Sequence, residues 1–82
     1  MNECFLIGKI IGKIEFEFII NNKRYISISM FDIMINKENI LKVVGYNNIA
    51  DFCYKTLKRG DIVSIYGNLN SKGKIEIKEI ET

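Results

Sequence analysis

The run RYISISM, residues 24–30, alternates so strictly that an extended strand is its natural conformation, with Ile26, Ile28 and Met30 on one face. A period of two recurs in IEFEFII (14–20) and in DIVSIYGNL (61–69), where Val63, Ile65 and Leu69 are in phase, and ILKVVGY (40–46) and KIEIKEI (74–80) are further strand-like runs. The opening run ECFLIGKII (3–11) carries Gly8 in its interior, which in a strand marks a bulge or sharp bend, and Gly12 and Lys13 break it. NNK (21–23) reads as a turn, because Asn tolerates the left-handed region. NKEN (36–39) reads as a loop and NSKG (70–73) as a tight hairpin. After Met30 the phase slips to the odd positions Ile33 and Ile35, so a bulge is expected near Phe31 or Asp32.

One segment leaves this period. Within VVGYNNIADFCYKTLKRGD (43–61), Ile49, Phe52, Cys53 and Leu57 fall at helical spacing. Asn48 is the expected N-cap, with Asp51 three residues on as a variant of the capping box. Lys55, Lys58 and Arg59 suit the negative end of the helix dipole, and Gly60 is a stop signal. The spacing predicts a helix over 48–58. The order is then β-β-β-α-β-β with a bent first strand, ILKVVGY being the third. So short a sheet must hide its edges and close over a core. The expected fold is all-β: a five-stranded OB-fold barrel over residues 1–82, with the helix between strands three and four plugging its bottom. A flat sheet with one helix on its face is the alternative.

Composition removes several function classes. At 82 residues the chain is expected to form one small domain that gains from self-association. A hydrophobic content of 48% is too high for a disordered chain. No apolar run reaches the ~18 residues of a membrane span, and Glu3 ahead of the short run Cys4 to Ile7 argues against a signal peptide. Cys4 and Cys53 read as buried free thiols, which fits a reducing cytoplasm. Two Cys and no His cannot complete a structural zinc site, and no cofactor is expected. Acid–base catalysis would rest on Asp and Glu alone, and Asp32, Asp51 and Asp61 have structural explanations at turns or caps. With no Gly-rich phosphate loop either, the chain does not read as an enzyme.

In order and spacing the chain resembles the bacterial single-stranded-DNA-binding protein family, with its relatives of the primosomal replication protein N type. NECFLIGKI (2–10) looks like the family's opening strand, and IEFEF (14–18) is similar to its proline–glutamate–aromatic stretch, with Ile14 in place of the proline. VVGYNNIADFCYKTLKRGD resembles its strand–helix–Lys-Lys-Gly segment without a gap, and VSIYGNL (63–69) its strand ending in Gly-x-Leu. The departures are a short loop between strands two and three, a hairpin cut to a tight turn, and no Trp. An acidic, partner-recruiting C-terminal tail is expected to be absent, since the sequence stops at Thr82. By this resemblance Tyr46 occupies one of the family's base-stacking positions, Ile40 a second, and Lys74 falls near another.

A single strand needs cations for its phosphates and flat faces for its bases. Ile40, Lys42, Val44 and Tyr46 share one face of their strand, so Lys42 offers a phosphate contact four residues from Tyr46 on the same face. Phe31 is the second aromatic candidate. Lys72 and Lys74 flank the tight hairpin, and Arg59 adds a charge at the helix end. Tyr25, Phe52 and Tyr54 read as packing residues. Ser64 and Tyr66, with Ile62 and Phe5 or Ile7, read as a subunit interface of a homodimer or homotetramer. The expected function is sequence-tolerant binding of single-stranded DNA in replication, recombination or repair, with RNA not separable from DNA. The rival is an OB-fold adaptor that binds protein, favoured by the missing Trp and a net charge of only +2.

Overall fold

The computed structural model of the chain describes residues 3–35 and 39–82. Asn2 of the opening motif, and 36–38 of the expected loop, lie outside the described residues. Among the described residues six strands and one α-helix follow in the order β1 (Glu3–Ile10), β2 (Glu15–Ile19), β3 (Lys23–Asp32), β4 (Ile40–Tyr46), α1 (Asn48–Thr56), β5 (Ile62–Leu69) and β6 (Ile75–Glu81), with a single 3-10 turn at Ile20–Asn22 between β2 and β3. Neighbours in the sheet run β1-β5-β6-β4-β3-β2, and β1 also pairs with β3. That extra pairing closes a barrel of β1, β5, β6, β4 and β3, in which only β4 and β6 run parallel. The expected five-stranded barrel therefore stands, and α1 falls between its third and fourth strands. Counted along the whole chain, α1 lies between β4 and β5, because 15–19 forms a strand of its own.

One edge of β3 explains that extra strand. Met30, Phe31 and Asp32 pair with Ile10, Lys9 and Gly8 of β1, while Lys23 to Ser27 pair with β2. The first strand is bent at Gly12 and Lys13, and its two halves share one partner. Asn21 (φ 64°) and Asn22 (φ 60°) take left-handed conformations and turn β2 into β3, as the sequence suggested.

The alternating runs fill the interior. Ile26, Ile28 and Met30 of β3 are fully buried with Leu6, Ile10, Val43, Val63, Ile65, Ile75 and Ile77. Helix α1 closes the base with Ala50, Cys53 and Leu57, its C-cap. Phe52 is a correction: it is 39% exposed and no core residue. Asn48 is not the N-cap either. Asn47 holds that place at φ 53°, without a side-chain cap bond. Asp51 accepts instead from Arg24 Nε at 2.8 Å, which ties the helix to β3. Nor is there a bulge at Phe31 or Asp32. The register of β3 runs unbroken against β4 from Tyr25 to Phe31 and against β1 from Met30 to Asp32, and the strand ends there, leaving Ile33, Met34 and Ile35 exposed. The register shift lies between Tyr66 and Gly67, against β6.

Two glycines mark where strands come closest. A Cβ on Gly67 would collide with the backbone carbonyl of Glu76, its carbon 2.9 Å away, and backbone at a sheet junction yields poorly. A Cβ on Gly8 would meet the thioether of Met30, which can swing aside. Gly67→Ala is expected to cost about 2–3 kcal/mol and Gly8→Ala about 1 kcal/mol. For a chain of this size the former is a fall in Tm of roughly 10–20 °C by thermal melt.

Burial pushes the Cys53 thiol from 9.0 up to about 11. In the unfolded chain the thiol gives up its proton near 9, while the folded protein keeps it to about 11, so the folded state binds more protons in that window. Stability therefore falls as pH rises between the two values. Urea titrations of the native protein and Cys53→Ala across this range are expected to show a shallower alkaline decline in the variant.

Candidate nucleic-acid interface

The strand phase that buries Ile26, Ile28 and Met30 turns Tyr25, Ser27, Ser29 and Phe31 outward. On β4 the outward set is Ile40, Lys42, Val44 and Tyr46. The register joins them in pairs: Phe31 with Ile40, Ser29 with Lys42, Ser27 with Val44, Tyr25 with Tyr46. From the first pair to the last is a ladder of about 20 Å at ~3.4 Å per residue.

The ladder is walled at its Tyr46 end. Val44 is buried to 1% although it stands outside the interior cluster, so it forms a floor rather than core. Glu17 and Ile19 of β2 rise on one side, and Asn70, Lys72 and Lys74 of the β5–β6 hairpin on the other, enclosing about 240 Å³ with Tyr25 and Tyr46. An adjoining hollow runs past Glu15, Ser27, Lys42 and Lys74.

Local hydrogen bonds fix the hairpin wall and the seat of Tyr46. Asn70 Oδ1 accepts from the backbone amides of Lys72 (2.9 Å) and Lys74 (3.0 Å), and the Asn70 amide donates to the Lys74 carbonyl at 2.8 Å. Asn70 Nδ2 donates to Glu76 Oε2 at 3.3 Å. The hairpin is thus a rigid Asx turn, closed by Gly73 at φ 77°. Next to Tyr46, the Asn47 amide donates to the Arg24 carbonyl at 2.9 Å and the Arg24 amide to Asn47 Oδ1 at 3.2 Å. This exchange carries the β3–β4 ladder one step past Tyr46 and seats its ring beside Tyr25, centroids 5.4 Å apart.

Tyr46 is half-buried, with Lys23 Nζ 4.5 Å from its ring centroid. Burial, then the charge of Glu76, then Tyr25 hold its phenol above the ordinary tyrosine range. The groove is not uniformly cationic. Lys42, Lys72 and Lys74 stand against Glu15 and Glu17, and the excess of positive charge is small.

The fold therefore brings Tyr46, Lys42, Lys72 and Lys74 to one groove. Phe31 and Ile40 lie at the far end of the same ladder, Ile40 being 61% exposed. Arg59 lies off the ladder, across a cleft from Phe31 that Lys9 and Ile11 also line. Two groove residues escaped the sequence reading. Tyr25, read as packing, lines both hollows, and Lys23 covers Tyr46. The signal for Tyr25 was in RYISISM itself, since burial of the even positions turns the odd ones outward. Among the described residues, no helix is long and apolar enough to cross a membrane. None of their His, Cys, Asp and Glu side chains gather in groups of three or more that could hold a metal ion.

No family model and no curated protein matches the chain. Solved structures do. The SSB domain of a Synechococcus sp. protein superposes with a TM-score of 0.86 at 19% identity, over 100% of this chain and 96% of that one. The mitochondrial single-stranded DNA binding protein Rim1 of S. cerevisiae gives 0.82 at 17%, over 98% and 91%. PriB from Ralstonia solanacearum gives 0.80 at 12%, over 99% and 96%. Likeness at such low identity establishes the architecture: this chain has the OB-fold of the single-stranded-DNA-binding and PriB structures.

Proposed function

We propose that the protein binds single-stranded DNA, with little regard to sequence, along the outward ladder of β3 and β4. The observation that carries this is the walled groove at Tyr25 and Tyr46, where two aromatic rings stand among Lys72 and Lys74 of the hairpin and Lys23 of β3. A base stacks on Tyr46, and Lys23 swings from its ring to a phosphate. Lys42, Lys72 and Lys74 take neighbouring phosphates. Phe31 and Ile40 receive the strand at the other end, with Arg59 beside them. Names of the fold neighbours support the same ligand. Glu15 and Glu17 temper the attraction, which suits a binder that must release its strand. No step in this reading calls for a catalytic group.

Salt and one tyrosine test the reading together. Three to four lysine–phosphate contacts, at about −0.7 each, give a slope of log K against log salt near −2 to −3. Fluorescence anisotropy with a thymidine oligomer measures it. Tyr46→Ala is expected to weaken binding by about 1–3 kcal/mol and Tyr46→Phe by much less. The Tyr25–Tyr46 pair adds only about 0.5–1.5 kcal/mol to folding, so both variants stay folded. Binding indifferent to salt and to Tyr46 would instead favour the protein-adaptor reading.

We further place self-association on the opposite side of the barrel. Phe5 and Tyr66 pair across β1 and β5 there, and Phe5 and Ile62 are exposed at 62% and 54%. Sedimentation is expected to show a homo-oligomer that Phe5→Glu dissociates without weakening the groove's contacts with a short oligomer. A monomer at high concentration would refute it.

A further inference from the structure

β2 has two unlike faces and an unused edge. Glu15, Glu17 and Ile19 line the groove, while Phe16 and Phe18 point the other way. On that second face Phe16 lies against Tyr54 of α1, centroids 4.6 Å apart, and Phe18 meets Phe16 edge-on at 5.6 Å. Phe18 is 69% and Tyr54 62% exposed. Among the described residues β2 pairs with β3 alone, so alternate residues turn their N–H and C=O groups outward. An aromatic patch beside an open strand edge is the geometry that accepts an added strand.

Charge decides what that strand is. A second copy of EFEFI laid in phase along β2 would set carboxylates against Glu15 and Glu17, and like charges directly opposite destabilise a sheet. A phosphate backbone on the same edge would meet the same two carboxylates. We propose that the free edge of β2 docks an extended segment of a partner protein in which Lys or Arg alternates with aliphatic or aromatic residues. Its backbone continues the sheet. Its cations face Glu15 and Glu17, and its apolar side chains cover Phe16, Phe18 and Tyr54. The ladder of β3 and β4 stays open to its own ligand.

The test uses short labelled peptides of strictly alternating Lys and Val, of alternating Glu and Val, and of the first with Pro at alternate positions, which cannot add a strand. Anisotropy is expected to show binding of the Lys–Val peptide alone, with amide shifts concentrated at 15–19 by NMR. Phe18→Ser removes an exposed side chain and leaves the fold intact by thermal melt. It is expected to weaken the peptide by about fivefold while leaving thymidine oligomer affinity unchanged. Replacing both Glu15 and Glu17 by Lys is expected to reverse the preference, each pair contributing up to about fivefold. Equal binding of the Lys–Val and Pro-containing peptides, or peptide affinity untouched by Phe18→Ser, would overturn the proposal. So would Phe18→Ser acting on the oligonucleotide instead, which would assign the patch to nucleic acid.

Discussion

Closure of the barrel rests on a short contact, the pairing of Gly8, Lys9 and Ile10 with Asp32, Phe31 and Met30. Without it β1 and β2 would be the edges of an open sheet, and a chain this small could not cover both faces of such a sheet. Closure needs the two strands close together inside. The absent side chain at Gly8 and the pliant one at Met30 meet that need at the same point. The tight approach of Gly67 to Glu76 does the same on the other side of the barrel, where the ladder between β5 and β6 shifts register.

The groove follows from how little of β3 that contact uses. β1 takes only Met30 to Asp32, and the rest of the same edge stays free for the chain beyond the bend at Gly12 and Lys13. β2 occupies that place but cannot enter the barrel, so it stands as a wall. The hairpin after β5, held by Asn70, stands opposite. Val44, an apolar residue on an outward face, is buried because these two walls rise around it.

How far the sequence revealed this depended on how far each residue's role was local. Period two gave the inward face of β3 and, at Val63 and Ile65, that of β5, although Leu69 in the same phase is exposed, and the Asn pair at 21 and 22 gave its turn. Helical spacing located α1 but overstated its buried face. Nine residues plugging a narrow opening bury only a thin stripe, and Phe52 falls outside it. Asp51 looked like a cap because its partner, Arg24, is remote in sequence. The phase change after Met30 looked like a bulge, although a strand that simply ends leaves the same trace. Of the groove, Lys42, Tyr46, Lys72 and Lys74 were legible from strand phase and turn position. The outward phase of Tyr25 was legible too, although it was read as packing; Lys23 was not, since its importance comes from the fold that sets it over Tyr46.

That register also gives β2 its double character. Alternation sends its two carboxylates to the groove and its two phenylalanines to the helix, so one five-residue strand faces two surfaces of opposite chemistry. In the groove the carboxylates oppose Lys42 and Lys74 and leave its charge nearly balanced. At the outer edge the same carboxylates act as guards, because a bare edge with exposed aromatics would otherwise invite copies of itself. Glu15 and Glu17 thus limit both surfaces at once. They moderate what the groove can hold, and they restrict what the edge can accept to a strand of the opposite charge.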